Sequence, residues 1–325
     1  MTATVLSSGV LTTVQDLGRS GYRHLGLPAA GAVDPLAAAI ANLLLAQHTN
    51  SAVLEYTLVG PTLQFDFPTV VALTGGVVNA RLDGTPVPMH QPVAIPARAK
   101  LAIGPLQSGC RGYLAIKGGW QVAPQLGSVS TLICAGLGGL QGRRIRRGDA
   151  LPYPRFRGAV PKGIAARVPR NNRSRTAPAP IKVIAGPEAD GFRGGLSALC
   201  ERVYRLSADS DRMGCRLVGP ALEPVSTREP ITDGVVPGTV QVPPDGQPIV
   251  LMADSQPTGG YPRMAVVASV DLPKLAQARP GDPLSFVEVS LESARQEKHH
   301  RQIALNRLAI AFAHQWQEPV PCAWI

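Results

Sequence analysis

Most apolar segments of the chain are short and are bounded by glycine or proline. Residues 70–74 (VVALT) stop at Gly75, and residues 249–252 (IVLM) follow Pro248. Runs of this length, rich in β-branched side chains and bordered by turn residues, are typical of strands. The pattern therefore predicts a mainly β protein with many tight turns.

Two segments have the pattern of helices instead. The first begins at Asp34, whose carboxylate can accept hydrogen bonds from first-turn amides, and Pro35 suits the next position because it needs no amide donor. Its apolar stripe consists of Leu36, Ile40, Leu43 and Leu44. The second helix runs from about residue 291 to residue 315. Its predicted buried side consists of Ile303, Leu305, Leu308, Ile310 and Phe312.

Two short motifs recur in the same order, which predicts a duplicated β-rich domain. LVGPTL at 58–63 matches LVGPAL at 217–222, and RRGDAL at 146–151 matches RPGDPL at 279–284. A duplication explains this order better than regular turns alone. The predicted parts are a first domain at 1–155, a linker at 156–180, a second domain at 181–290, and a C-terminal helix and tail at 291–325.

The charge of the chain, +10 overall, comes from one local stretch. Of the 32 lysines and arginines, 11 lie between Arg143 and Arg175, with Asp149 as the only acidic residue among them. A solvated connector explains this stretch, and a docking site for RNA or another anionic partner is the alternative. We favour the connector, because arginine and proline would keep residues 156–180 extended in water, and we expect no nucleic-acid partner.

The chain has the features of a cytoplasmic protein. Its first ten residues lack a basic region and a long apolar region, so a signal peptide is not expected. Residues 35–54 carry no charge but too many polar side chains for a membrane span. The five cysteines form no CxxC pair, which suits a reducing compartment. We therefore expect a soluble protein of the cytoplasm without a membrane partner.

Standard catalytic signatures are missing from the sequence. Residues 104–111 begin like a phosphate loop but lack its Lys-Ser/Thr pair, and residues 136–141 lack the last glycine of a dinucleotide fingerprint. No segment fits GxSxG. The six histidines show no ligand spacing, so no structural metal is expected.

Polar, glycine-containing segments remain as candidates in the first half. Asp16 and Arg19 are close enough to pair and hold a loop, or to contact a ligand. Ser128, Ser130 and Thr131 follow Gly127, and their hydroxyls can bind an oxyanion or cap a turn.

A denser candidate site is predicted in the second half. Residues 253–262 place an acid, an amide, a hydroxyl, two glycines and a tyrosine in succession: Asp254, Gln256, Thr258, Gly259, Gly260 and Tyr261. The glycines let backbone amides approach a ligand closely, and a buried polar turn is the alternative. We place the site in a cleft lined by this segment and by Gln241, near Arg212. Asp254 either orients Arg212 or accepts a proton.

Seven motifs between Val5 and about Gln315 follow the pattern of one known family. They are TTVQDLGRSGY, GAVDPLAAAIANLL, LEYTLVGPTLQF, GPEADGF, SDRMGCRL, GTVQVPPDGQPIVLMAD and TGGYPRMA. With them the chain resembles allophanate hydrolase subunit 2. That family includes the C subunit of 5-oxoprolinase, the kinase-inhibitor antagonist KipA, and half of the carboxyltransferase domain of biotin-dependent urea carboxylases.

The resemblance implies two tandem cyclophilin-like β-barrels and a multi-subunit enzyme. Together with an A subunit, and with a B subunit homologous to itself, such a chain would open 5-oxo-L-proline to L-glutamate, with ATP as cofactor of the complex. Asp254, Gln256, Thr258 and Arg212 would be catalytic, with Gln256 and Thr258 binding the lactam or its phosphorylated form. Developing negative charge would need donors, which glycine-rich loops supply. The predicted substrate-binding residues are Gln241, Tyr261, Gly259, Gly260, Asp16, Arg19, Ser128, Ser130 and Thr131.

Two other functions remain open on the same resemblance. One is the carboxyltransferase component of a biotin-dependent urea or amide carboxylase, and the other is a KipA-like regulator. No biotinylation-type Met-Lys pair occurs, so no biotin is expected on this chain. Three positions depart from the family pattern: Pro257 replaces a threonine, Leu132 stands where an acid or tyrosine is common, and Cys215 replaces a tyrosine.

The basic stretch yields a test of the connector interpretation. Changing Arg167, Arg170, Arg173 and Arg175 to Gln should leave the activity of the assembled enzyme intact. Neither the natural chain nor the variant should bind RNA or DNA at physiological salt in a filter-binding titration. A complex that weakens steeply with salt, as counterion release requires, and that is lost in the variant would contradict the interpretation.

Overall fold

The described chain consists mainly of β-strands, arranged as two units. The computed structural model describes residues 1–161, 163, 165–166, 179–225, 231–321 and 323. Unit 1 comprises Met1–Arg19, Ala30–Val168 and Gln302–Ile325, and unit 2 comprises Ser20–Ala29 and Pro169–Arg301. Much of the predicted linker lies outside the described residues, including Arg167, Arg170, Arg173 and Arg175.

Unit 1 is built on a ten-stranded antiparallel sheet. Its strands are β1 (Thr2–Ser7), β2 (Leu11–Gln15), β3 (Val53–Thr57), β4 (Val59–Phe65), β5 (Thr69–Val78), β6 (Arg81–Leu82), β7 (Thr85–Pro86), β8 (Pro92–Ile95), β9 (Lys100–Ile116) and β10 (Ala150–Pro152). The main path runs β10-β1-β4-β9-β3-β2, and the 17-residue β9 also pairs with β5 and β6. Inward side chains such as Tyr56, Phe65 and Leu114 are fully buried in its core.

Helix α1 (Pro35–Leu44) of unit 1 begins where the sequence predicts. The Asp34 carboxylate accepts a hydrogen bond from the Ala37 amide at 3.0 Å, and a proline occupies the first turn. Ile40, Leu43 and Leu44 are buried. The predicted cap is confirmed, and so is the predicted stripe except that Leu36 is only partly buried.

Unit 2 contains a closed barrel of seven strands and a separate two-stranded ribbon. The nine strands of the two sheets are β11 (Ile181–Ala185), β12 (Val203–Leu206), β13 (Gly214–Val218), β14 (Asp233–Gly234), β15 (Thr239–Gln241), β16 (Ile249–Leu251), β17 (Thr258–Gly259), β18 (Arg263–Val267) and β19 (Pro283–Glu288). The barrel order is β11-β18-β15-β16-β13-β12-β19, and β14 and β17 form a separate two-stranded ribbon. Short helices α2 (Ser197–Cys200) and α3 (Leu272–Ala276) accompany it. The predicted class, mainly β with few helices, is confirmed. Of the two predicted β-barrels, the one in unit 2 is closed, whereas the described strands of unit 1 form a curled sheet.

The two RxGDxL motifs fold into the same turn, one in each unit. The Asp149 carboxylate accepts a hydrogen bond from the amide three residues earlier at 2.7 Å, and Asp282 does the same at 2.9 Å. Gly148 and Gly281 have φ values of 90° and 85°, which residues other than glycine rarely adopt. The repeated turn leads into β10 in one unit and into β19 in the other. The two copies of the LVGPxL motif lie at different positions relative to their strands. The copy at 58–63 lies at the start of β4, and the copy at 217–222 lies at the end of β13.

The long C-terminal helix α4 (Leu291–Trp316) is also present as predicted. Leu305 and Phe312 are buried, but the prediction for Ile310 is wrong, because its side chain is 56% exposed. The buried stripe of the helix has helical spacing from Leu305 onward. Besides Leu305 and Phe312 it consists of Ala309, Ala313 and Trp316. None of the described helices has the length and the apolar character that a membrane span requires.

The end of α4 is fixed within unit 1 by Trp316. Its indole Nε1 donates to the Leu44 carbonyl at 3.0 Å, and its ring meets Phe156 edge to face. The Lys117 ammonium lies 4.4 Å from the centre of the indole ring and donates to the Glu318 carboxylate at 2.7 Å. Packing, a satisfied N–H donor and a cation over the ring therefore act together at this one side chain.

Truncating this side chain should destabilise the protein strongly. We expect Trp316→Ala to lower the free energy of unfolding by about 3–5 kcal/mol, as large aromatic truncations do. Ile310→Ala on the same helix is the matched control, and its exposed position predicts a change within about 0.5 kcal/mol. Urea unfolding followed by circular dichroism measures both. Equal effects of the two substitutions would contradict the described packing.

Candidate functional site

Asp254 of unit 2 forms a two-point ion pair with Arg212. The Arg212 Nε donates to Oδ2 and its Nη2 donates to Oδ1, each at 2.8 Å. Both side chains are less than a tenth exposed. The Asp254 amide also donates to the Arg212 carbonyl at 2.9 Å, which fixes the turn after β16 against the residues before β13. Paired bonds of this kind hold both groups in one orientation, which favours an orienting role for Asp254.

The other predicted residues of unit 2 gather around Gln241. Its buried side-chain amide donates to the Tyr261 carbonyl at 3.3 Å. A Cβ at Gly259 would lie only 2.5 Å from the Gln241 Nε2, so a side chain there would have to displace the end of the Gln241 side chain. Thr258, Gly260 and Tyr261 are exposed, in contrast to Gln241. The turn therefore presents a hydroxyl and a glycine backbone to solvent above a buried amide.

Ser255 and Gln256 lie between this group and the ion pair. The Ser255 hydroxyl is fully buried and has no hydrogen-bond partner among the described residues. Gln256 is half-buried. Buried polar atoms without partners are uncommon in folded proteins.

An ion-pair network beside Gln241 does not stand out in the sequence. Arg263 donates from Nη2 to the Glu188 carboxylate at 2.6 Å, and from Nη1 to the Asp233 carboxylate at 2.7 Å. Hydrogen bonds from the guanidinium lower the pKa of both carboxyls below their usual values. The sequence does contain a signal for this network, because two of the family motifs include its residues. GPEADGF contains Glu188 and TGGYPRMA contains Arg263. The network forms only when these distant motifs meet on the barrel.

Asp16 of unit 1 is the centre of a buried polar cluster. Its Oδ1 accepts from the hydroxyls of Ser128 and Ser130, at 2.7 and 2.5 Å, and from the Gly18 amide at 2.8 Å. Its Oδ2 accepts from the Val129 amide at 2.8 Å. The two serine hydroxyls thus point at the carboxylate and hold the loop, which favours the structural alternative for them.

Arg19 and Thr131 hold the same loop from other sides. The Arg19 Nη2 donates to the Ser130 carbonyl at 2.8 Å, and the Thr131 hydroxyl donates to the Val14 carbonyl at 2.9 Å. Both side chains are buried. The predicted site residues are therefore divided, with one buried cluster in unit 1 and one partly exposed group in unit 2.

The three departures from the family pattern fit their surroundings. Leu132 is fully buried, and Cys215 is buried on β13 opposite Val250. The Pro257 carbonyl accepts a hydrogen bond from the Val235 amide at 3.0 Å, so it joins the two strands of the ribbon. Within the described ranges, no group of three or more His, Cys, Asp or Glu side chains could hold a metal ion.

Comparisons with known proteins agree on one family. Residues 25–288 match the family described as carboxyltransferase domain, subdomain A and B. The chain is 40% identical to the C subunit of 5-oxoprolinase from Escherichia coli over 94% of this chain and 97% of that protein. It is 32% identical to the urea amidolyase of Saccharomyces cerevisiae, covering 92% of this chain but only 17% of that protein. The crystal structure of Kluyveromyces lactis urea carboxylase superposes with a TM-score of 0.85 and 29% identity, over 94% of this chain and 29% of that chain.

The unit 1 cluster predicts a stability effect rather than a substrate effect. Asp16→Asn puts an N–H donor where a carboxylate oxygen accepts hydrogen bonds, so we expect a loss of about 1–3 kcal/mol in the free energy of unfolding. Asp83→Asn is the control, because exposed Asp83 accepts one amide hydrogen bond that Asn can keep. Urea titration measures both variants. Matching midpoints would argue against the cluster's structural role.

Proposed function

The chain belongs to the carboxyltransferase domain family with subdomains A and B, and we propose that it is the C subunit of an ATP-dependent 5-oxoprolinase. One observation carries the proposal: the 40% identity to the Escherichia coli protein of that name extends over nearly the full length of both chains. A match restricted to one shared domain would support the fold without the role. The proposed enzyme cleaves 5-oxo-L-proline to L-glutamate.

The exposed turn of unit 2 is the proposed place of lactam binding. A lactam offers a carbonyl oxygen that accepts hydrogen bonds and on which negative charge develops during ring opening. Thr258 supplies a hydroxyl donor, and Gly259 and Gly260 let the backbone approach the ring closely. The Arg212–Asp254 pair holds the start of this turn. Gln256 lies in the chain between Asp254 and Thr258 and is half-buried, and it is proposed to bind the same ligand.

Activity is proposed only for the assembled complex. Relatives named as one subunit of an enzyme imply partner chains, and we propose homologues of the A and B subunits as the partners, in the cytoplasm. Hydrolysis of an uncharged lactam requires activation, which ATP supplies at the level of the complex. The residues of this chain are assigned to binding and orienting the lactam.

Carboxyl transfer is the second candidate, because the structural match to a urea carboxylase is close. In that reaction the same turn would bind a urea-like amide and receive CO₂ from carboxybiotin on a separate carrier. The chain spans only 17% of the yeast urea amidolyase, whose remaining parts would have to come from other proteins.

Reconstitution distinguishes the two candidates. The chain is co-purified with its A and B homologues, and glutamate release from 5-oxo-L-proline is measured with and without ATP. We expect release that needs ATP and all three subunits. Omission of this chain is the control. Undiminished release without it, or CO₂ transfer to urea once a biotin carboxylase and a biotin carrier are added, would contradict the proposal.

Thr258 offers the sharpest single-residue prediction, because its exposure uncouples it from folding. Thr258→Val removes the donor and keeps the shape, so glutamate release should fall about 100-fold, which is typical for loss of one donor to a developing oxyanion. Thr258→Ser keeps the hydroxyl and should retain most of the activity. Melting temperatures and assembly with the partner chains should stay unchanged in both. Full activity of Thr258→Val would exclude this residue from the site.

A further inference from the structure

We propose that Arg263, held by Glu188, is a positioning residue that fixes the β14–β17 ribbon carrying Thr258 and Gly259. The inference rests on the proposed function for its catalytic meaning. The connection between Arg263 and the ribbon stands on contacts within unit 2 alone.

The Arg263 guanidinium is held in one orientation by Glu188. The backbone amide and Nε of Arg263 both donate to Glu188 Oε2 at 2.9 Å, and Nη2 donates to Oε1 at 2.6 Å. A two-point arginine–carboxylate pair with an added amide bond leaves little rotational freedom. Both side chains are about three-quarters or more buried. Glu188 therefore decides where the remaining edge of the guanidinium points.

That edge points to the ribbon. The Arg263 Nη1 donates to the Asp233 carboxylate at 2.7 Å and to the Gly234 carbonyl at 3.3 Å, so it contacts both residues of β14. A second guanidinium, that of Arg23, donates to the carbonyl of the next residue, Val235. Two arginines thus hold β14 and the residue after it. Arg263 binds the Asp233 side chain and the Gly234 carbonyl, and Arg23 binds the Val235 carbonyl.

The ribbon needs such anchors, because it has little structure of its own. Its strands pair through only two residue pairs, and neither strand belongs to the closed barrel. Short two-stranded ribbons are marginal in water unless other contacts hold them. The Asp233 side chain is 66% exposed, and exposed ion pairs add little to global stability. The effect of the contact on ribbon geometry is therefore greater than its effect on unfolding.

A displaced ribbon would disturb the lactam site directly. Thr258 pairs with Gly234, and Gly259 pairs with Asp233, so β17 follows any movement of β14. Gly259 also packs closely against Gln241, which lies opposite Arg263 on the neighbouring strand. Hydrogen bonds to a reacting group depend on placement within about 1 Å, and a misplacement of that size can cost about 100-fold in rate.

The test compares Arg263→Gln with Arg193→Gln, which breaks an exposed arginine–glutamate pair elsewhere in unit 2. For the full-length chain, hydrogen exchange is measured by mass spectrometry. For the reconstituted complex, kcat/KM for 5-oxo-L-proline is measured. Arg263→Gln should speed exchange at residues 233–235 and 257–261 while the barrel strands stay protected, and should lower kcat/KM about 100-fold. Arg193→Gln should change neither quantity.

Two further variants follow the chain of contacts. Glu188→Gln weakens the hold on the guanidinium and should change both readouts in the same direction. Arg263→Lys keeps the positive charge but lacks the planar guanidinium that binds two acceptors at once. It should therefore restore the slow ribbon exchange and kcat/KM only in part. Unchanged exchange in the ribbon, exchange raised across the whole barrel, or full activity of Arg263→Gln would each overturn the proposal. If the natural complex releases no glutamate, the proposed function fails, and ribbon exchange still decides whether Arg263 holds the ribbon.

Discussion

The buried ion pair between Arg212 and Asp254 is the interaction on which the proposed site in unit 2 depends. Removing one partner of such a pair leaves an uncompensated charge away from water, which typically costs about 3–5 kcal/mol. Loss of the guanidinium would therefore destabilise the turn after β16. From that fixed start the chain emerges from the barrel, with Gln256 half-buried and with Thr258 and Gly260 exposed to solvent. The pair acts as a support, while the groups that it positions are the ones able to meet a ligand.

Unit 1 solves the same problem of a buried carboxylate with neutral donors. Asp16 is satisfied by two serine hydroxyls and two amides, so its charge is compensated without a cation among those four contacts. The hydroxyls of Ser128 and Ser130 are committed to that carboxylate. In unit 2 the Thr258 hydroxyl stays at the surface. The exposed Thr258 hydroxyl can donate to a ligand, whereas the hydroxyls of Ser128 and Ser130 already donate to Asp16. This difference favours unit 2 for the proposed chemistry, although both segments are glycine-containing and rich in hydroxyl groups.

Local features were predictable, and features that depend on register or on distant contacts were not. The Asp34 cap and the short apolar strands follow from residues within a few positions of one another. The exposure of Ile310 could not be read from its hydrophobicity, because the neighbouring alanines and Trp316 complete the buried stripe. The Glu188–Arg263–Asp233 network joins residues about 30 to 75 positions apart, so only the barrel register brings them together. The sequence allows two roles for the serine hydroxyls of unit 1, because their direction toward Asp16 is set by tertiary contacts.

A crystal structure of the assembled complex with 5-oxo-L-proline would show where the lactam binds. We expect density for the lactam ring at the exposed turn of unit 2, with its carbonyl oxygen within hydrogen-bond distance of the Thr258 hydroxyl. The Arg212–Asp254 pair and the β14–β17 ribbon should keep the positions described for the isolated chain. Density for the lactam only beside the Asp16 cluster, or only on a partner chain, would exclude the proposed lactam site in unit 2.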